Sequence, residues 1–393
     1  MDIIYFDNAA TSWPKPKETL AAMNYYNDMI GGSPGRSGHR LSIEAGRVVL
    51  ETREVIAELF GVRDMLRIVF TKNATEALSI AIFGLLKPGD HAITSGMEHN
   101  SVMRPLRAME EQGVEVTVIP CSPAGELDPA DVDRSVKANT RAIYITHASN
   151  VTGTIMPVAE IGTIAREQGV IFCVDAAQTA GAIPIDVEDM AIDLLAFTGH
   201  KSLFGPQGTG GLYVAGGLEK EITPIMMGGT GSRSEFEKQP DFLPDMYESG
   251  TLNAIGIAGL GAGVRFIIDE GIDTIRDKEE RLTGMLLEGL SAISGVIIYG
   301  CRNSKKQTTV VSFNIKDQSP ADVALMLDEE FNIMSRPGLQ CAPAAHRTIG
   351  TLPVGTLRLS PGYFSTGDEV QNTIDAITDI AQQQKGRRNE RRS

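Results

Sequence analysis

Between residues 64 and 214, short apolar runs alternate with amphipathic segments of helical length. That rhythm constrains the fold more than any other feature of the chain. Strands are expected at 67–70, 91–95, 115–119, 141–146, 170–175, 194–198 and 211–214, with helices at 74–86, 101–112, 129–136 and 158–168. Strands linked through helices of this length run parallel in a sheet covered on both faces. Ligands of such sheets sit beyond the carboxyl ends of the strands. After about residue 257 the pattern changes to a long helical stretch, 257–290, that Gly271 bends or breaks. Strands then follow near 296–299, 310–315 and 356–360, with helices at 320–329 and 366–384. The expected architecture is α/β. A large domain over 16–257 holds a mostly parallel central sheet flanked by helices, and a smaller α+β domain over 258–384 also recruits residues 1–15. Residues 385–393, with Arg387, Arg388, Arg391 and Arg392, have no apolar anchor and are expected to form a disordered basic tail.

Composition excludes several classes of function. With 393 residues, 42% of them hydrophobic, and a mean hydropathy of −0.06, the chain can bury a large core as an ordinary globular protein. A formal net charge of −14 argues against nucleic acid, whose phosphates need positive surface. No apolar run reaches the roughly 18–20 residues that span a bilayer, and the start, Met1 to Asp7, lacks the basic and apolar regions of a secretory signal. Cys121, Cys173, Cys301 and Cys341 are widely separated, a spacing that fits neither a zinc site nor a disulfide scaffold. The expectation is a cytoplasmic protein with reduced thiols, no metal, no membrane and no nucleic-acid partner.

The residues that suggest chemistry fall just past strand ends. Lys201 follows the apolar run Leu194–Phe197 in a small polar turn, Thr198-Gly199-His200-Lys201. A desolvated lysine there gains a neutral amine able to attack a carbonyl, and Thr198 and His200 can donate to a phosphate. Lysine, hydroxyl and imidazole together suit pyridoxal 5'-phosphate, which is both an aldehyde and a phosphate ester. Asp175 ends the run 170–175, where a carboxylate can keep a pyridine nitrogen protonated or simply cap the next turn. Residues 68–77 read as a strand entering a helix that Asn73 or Thr75 caps, so its first free N–H groups form an anion site. His99 lies past another strand, placed to stack on a ring and move protons. Asn150 can bond a ring oxygen or a substrate carboxylate, or close an Asx turn. Cys341 stands among proline, glycine and alanine in an accessible loop beside Arg336, whose charge favours a thiolate, whereas Cys173 lies within a strand as core. Arg358 in an apolar strand calls for an anion, either a substrate carboxylate or an internal ion pair.

Together the segments YFDNAA, MEHN, THASNVTG, VDAAQ, TGHKSLFGPQGTG and RPGLQCA, in this order, resemble the class V aminotransferase-fold enzymes. Within them the chain is similar to the cysteine desulfurases, and to the SufS-like group more than the IscS-like group. The resemblance spans Tyr5 to the last helix and implies the type I fold of pyridoxal-phosphate-dependent transferases. It implies that Lys201 binds the cofactor covalently and moves the Cα proton, that Asp175 pairs with the ring nitrogen, and that Gln178 meets the ring hydroxyl. His99 would stack on the ring; Ala74, Thr75, Thr198 and His200 would hold the phosphate. Thr251 would reach the phosphate of a neighbouring subunit, which implies a homodimer. Asn150, Arg336 and Arg358 would bind the substrate, and Cys341 would attack its sulfur and pass a persulfide to an acceptor protein. Two departures stand out: Leu339 and Gln340 occupy positions where the SufS-like pattern has histidines, and Ala74 replaces a threonine. The resemblance also covers selenocysteine lyases, other aminotransferases and β-lyases of this fold, and a non-catalytic scaffold.

Overall fold

A computed structural model describes residues 3–35 and 37–392. Its strands are β1 (Ile4–Tyr5), β2 (Ile68–Thr71), β3 (His91–Ser95), β4 (Glu115–Ile119), β5 (Thr140–Thr146), β6 (Ile171–Asp175), β7 (Leu194–Thr198), β8 (Gly210–Val214), β9 (Val296–Tyr299), β10 (Val311–Ile315), β11 (Ile333–Met334), β12 (Arg336–Gly338) and β13 (Thr356–Leu359). The helices are α1 (Lys17–Tyr25), α2 (Arg40–Leu59), α3 (Ala74–Phe83), α4 (Asn100–Glu110), α5 (Pro129–Ser135), α6 (Val158–Gln168), α7 (Ala254–Glu270), α8 (Ile272–Ala292), α9 (Pro320–Phe331), α10 (Pro343–Thr348) and α11 (Gly367–Arg392).

Seven strands form the large sheet in the order β2-β8-β7-β6-β5-β3-β4. From β7 through β4 the neighbours are parallel, whereas β8 is antiparallel to both β2 and β7. The β7–β8 link, residues 199–209, contains no helix, so the chain turns straight back. Two reversals leave β2 parallel to β7, and the carboxyl ends of β2, β3, β5, β6 and β7 open on one edge. Side chains alternate between two cores. Phe172, Val174, Leu195 and Phe197 meet α6 and α7 on one face; Ile171, Cys173, Leu194 and Ala196 meet α3 and α4 on the other. Burying each large apolar side chain contributes about 1.5–3 kcal/mol, and burial on both faces explains the continuous apolar runs.

A four-stranded antiparallel sheet, β12-β13-β10-β9, packs with α8, α9 and α11 around Leu286, Phe313 and Leu359. The N-terminal segment joins this part of the molecule: β1 pairs in parallel with β11, and Phe6 lies in the same core. Gly271, at φ 86°, separates α7 from α8 because the left-handed region suits a residue without Cβ. Residues 16–66, for which the sequence reading assigns no element, carry α1 and α2. The last helix does not stop at 384 but runs to Arg392, through most of the segment expected to be disordered. Gln, Lys, Arg and Glu there are good helix formers. Ser393 of that tail lies outside the described residues.

Candidate active site

A cavity of about 280 Å³ opens at the shared strand edge. It is lined by Ala74, Thr75, His99, Asn150, Asp175, Gln178, Thr198, His200, Lys201, Arg336, Cys341 and Arg358, so every candidate but Thr251 meets there.

Lys201 is placed by the helix-free turn after β7. The Ser12 hydroxyl donates to its carbonyl at 2.8 Å, and the Lys15 ammonium donates to the His200 carbonyl at 3.1 Å. Burial pushes the Lys201 ammonium down to about 8, against the opposing pull of Asp175. Asp175, at the end of β6, is 4% exposed and accepts the Ala177 N–H at 2.9 Å. Capping of the next turn and a cavity-facing carboxylate are therefore both realised. Burial raises its pKa, while the Ala177 N–H and Lys201 favour its charged form.

At the end of β2, Asn73 caps α3 by accepting the Glu76 N–H at 3.0 Å, which leaves Thr75 free to face the cavity. Gly210 allows this approach, since a Cβ there would stand 2.7 Å from the Asn73 Cα. The N–H groups of Ala74 and Thr75 have no helical carbonyl to reach. Thr75 Oγ1 lies 2.7 Å from Ser101 Oγ, which in turn lies 2.9 Å from His99 Nδ1. His99 caps α4: its Nδ1 accepts the Ser101 N–H at 3.1 Å, so the neutral ring carries its proton on Nε2. Burial, then Lys201 and nearby arginines, push His99 down to about 4. It is therefore a neutral imidazole at pH 7, and not a group that titrates near neutrality in the free protein. His200 is likewise lowered to about 4 by burial, with Lys201 and Lys15 adding to it.

Arg358 is 2% exposed; it donates to Asp7 Oδ1 at 2.6 Å and to the Asn150 carbonyl at 3.0 Å. Asn150 Nδ2 donates to the Gln340 carbonyl at 2.6 Å, and Gln178 Nε2 to the Ala9 carbonyl at 3.1 Å. Four buried polar atoms of cavity residues have no partner among the described residues: Thr198 Oγ1, His200 Nδ1, Asn150 Oδ1 and Arg358 Nε. Buried polar groups are rarely left so. Thr198 Oγ1, His200 Nδ1 and Arg358 Nε, with the α3 N–H groups, fit a ligand bearing a phosphate at one end and a carboxylate at the other, while Asn150 Oδ1, which can only accept, suits a hydroxyl of that ligand. Cys341 is exposed at the cavity wall, and its carbonyl accepts the Asn100 N–H at 2.9 Å, beside His99.

Thr251 instead lines a second cavity of about 270 Å³ with Lys72 and Asn253. Its segment is anchored by Glu248, which pairs with Arg53 through two bonds of 2.8 and 2.9 Å and accepts the Phe70 N–H. Sequence reasoning missed Asp7 and Ser101, and named Gln340 only as a departure from a family pattern, with no role. Asp7 lies in the YFDNAA segment and Ser101 stands two residues after His99, so both had a local signal. Glu98 was also missed. It is fully buried behind the site, accepting from Ser95 Oγ at 2.7 Å and the Thr146 N–H at 3.0 Å, and burial lifts its carboxyl to about 8.

Comparison with known proteins places this geometry in a class. The class V aminotransferase family model matches residues 4–373, and the chain belongs to that family. Within it, the chain is similar to several cysteine desulfurases. One is the probable cysteine desulfurase of Methanothermobacter thermautotrophicus, 35% identical over 97% of this chain and 95% of that one. Another is the cysteine desulfurase IscS of Dictyoglomus turgidum, 32% identical over 96% of this chain and 94% of its own length. The apo cysteine desulfurase of Thermococcus onnurineus shares the structure with a TM-score of 0.91 at 35% identity, covering 97% of this chain and 95% of that one.

Proposed function

We propose that the protein is a pyridoxal-phosphate-dependent cysteine desulfurase that converts L-cysteine to L-alanine and loads the sulfur on Cys341 as a persulfide. The observation that carries this reading is one cavity holding a desolvated lysine, a buried carboxylate and an exposed thiol. When bound, pyridoxal phosphate supplies a carbonyl for the substrate amine and a ring that withdraws the electrons left by the Cα proton. Thr75, Thr198, His200 and the first N–H groups of α3 would hold its phosphate, with Ala74 contributing only backbone. Asp175 would hold the ring nitrogen protonated, Gln178 would meet the ring hydroxyl, and His99 would stand against the ring as a neutral imidazole. Arg358 Nε and Asn150 grip the substrate carboxylate, with Arg336 at the mouth. Lys201, as a neutral amine, takes the Cα proton. The Cys341 thiolate attacks the substrate sulfur, and the Cβ–S bond breaks. The electron pair stays on carbon, which takes a proton and becomes the methyl group of alanine, and Lys201 returns its proton to Cα.

The persulfide then passes to an acceptor protein in the cytoplasm. No helix among the described residues is long and apolar enough to cross a membrane. We read the working unit as a homodimer. Thr251 lies outside its own subunit's cavity, and Ile225, Met226, Met227 and Phe236, from the stretch leading to Thr251, expose apolar side chains. The test is mass spectrometry of the holoenzyme after cysteine treatment: one added sulfur on Cys341, with alanine formed. Absence of alanine, or a Cys341→Ala variant that still turns over cysteine with a thiol acceptor, would refute the assignment.

A further inference from the structure

Cys341 stands on a tight loop between β12 and α10. There two successive residues with side chains, Gln340 and Cys341, hold φ values of 41° and 58°. The left-handed region is unfavourable for any residue with a Cβ, and such a pair persists only where the surroundings over-determine it. Gln340 supplies that constraint. Its side chain is turned inward, with the residue 5% exposed. Nε2 donates to the Arg336 carbonyl at 3.1 Å and to the Thr356 carbonyl at 3.0 Å, which fixes one end of the loop to β12 and β13. Oε1 meets His346 Nε2 of α10 at 2.8 Å, which fixes the other end.

The chemistry of the three partners leaves one arrangement. Two carbonyls demand two N–H donors, so the amide nitrogen must face them. Oε1 can only accept, so His346 donates from Nε2, and its Nδ1 accepts from Thr351 Oγ1 at 2.7 Å. His346 is fully buried, and burial lowers it to about 4, in keeping with the neutral ring this pattern needs. A neutral histidine at 340, as in the SufS-like pattern, has one donor and one acceptor and cannot satisfy two carbonyls and an N–H together. The backbone completes the lock. The Gln340 carbonyl accepts from Asn150 Nδ2 at 2.6 Å, and the Asn150 carbonyl accepts from Arg358 at 3.0 Å. The residues assigned to the substrate carboxylate and the loop bearing the thiol thus form one continuous hydrogen-bonded chain.

We propose that Gln340 is a positioning residue for sulfur transfer: its primary amide locks the Gln340–Cys341 backbone and so fixes the thiol's reach to the substrate sulfur. The proposal rests on the role of Cys341 given above. It gives a geometric function to a residue that stands where the SufS-like pattern has a histidine.

The experiment compares Gln340→Ala with the wild-type holoenzyme. At saturating cysteine, alanine formation falls on the order of 10- to 100-fold, the scale of displacing a reacting group by about 1 Å. KM and the dissociation constant of pyridoxal phosphate stay near wild type. In the cofactor-free protein, amide hydrogen exchange over 338–342 and iodoacetamide alkylation of Cys341 both accelerate. Should the alanine variant fail to fold, Gln340→Glu carries the test. It keeps the acceptor for His346 but sets an oxygen against two carbonyls, and the same split is expected. Wild-type kcat with wild-type alkylation overturns the proposal, as does a loss in which kcat, KM and cofactor affinity move together. A parallel Cys341→Ala variant separates the two claims. Turnover kept there refutes the thiol's role itself; turnover lost there but intact in Gln340→Ala refutes only the lock.

Discussion

Replacing Lys201 by methionine should stabilise the cofactor-free protein while abolishing its chemistry. Burial lowers the Lys201 ammonium from an ordinary 10.5 to about 8, with the attraction of Asp175 already counted against that fall. A drop of this size means that the charged form is disfavoured by about 3 kcal/mol in the folded state. The sign follows from proton counting. Below pH 8 folded and unfolded chains both carry the charge, so the whole penalty is present. Between about pH 8 and 10.5 the folded lysine is neutral while the unfolded one still holds its proton, so stability climbs with pH. Methionine has a similar unbranched reach and no charge. The gain in Lys201→Met is therefore about 3 kcal/mol at pH 7, shrinking to about 1.5 kcal/mol at pH 9.5. Urea unfolding of both apo proteins at the two pH values measures it, provided the slopes agree. A variant no more stable at pH 7, or a gain that does not shrink, refutes the reasoning. The same shift serves catalysis: at pH 7 about one molecule in ten carries the neutral amine, against about one in three thousand for an unperturbed lysine.

Two further outcomes follow from neighbouring groups. Arg358→Leu removes the buried guanidinium whose Nε has no partner among the described residues. Charge-assisted bonds are worth about 1.5–3 kcal/mol, so KM for cysteine should rise on the order of 10- to 100-fold in steady-state assays, more than kcat falls; an unchanged KM would remove Arg358 from the carboxylate site. Glu98→Gln tests the buried acid behind Asp175. Its folded pKa, raised by burial to about 8, lies far above that of an exposed glutamate, so the native acid loses stability as pH climbs from about 4.5 to 8. The amide variant lacks that loss, and its advantage in urea midpoint should widen between pH 5 and pH 8. A constant gap would show that Glu98 is ionised in the folded state throughout.

What was legible in the chain was what burial on both faces writes into it. The expected strands of the large sheet lie within a residue of β2 to β8, because Ile171–Asp175 or Leu194–Thr198 must be apolar on both sides and polar only at the end. The N-terminal helices were not legible for the opposite reason. Leu20 and Tyr25 of α1, and Ile43 of α2, are more than half exposed, so no single apolar stripe marks the core. A surface reserved for a second copy of the chain would account for that pattern.

Arg358 shows where local reasoning stops. Read alone, an arginine in an apolar strand requires an anion, and an internal partner and a substrate carboxylate appear as rivals. In the fold they are not rivals. Asp7, brought over from the N-terminus, takes one end of the guanidinium and the Asn150 carbonyl takes another nitrogen, while Nε remains buried without a partner among the described residues. The internal pair makes burial of the charge tolerable, and the unmatched nitrogen is what a substrate can use. Gln340 is harder still. Its signal is the absence of a histidine, and its meaning depends on Arg336, Thr356 and His346 all converging on one amide. No spacing rule announces that convergence, since its three partners belong to three different elements. A sequence pattern can therefore single out the thiol of Cys341, but the amide network that holds its loop is visible only once the chain has folded.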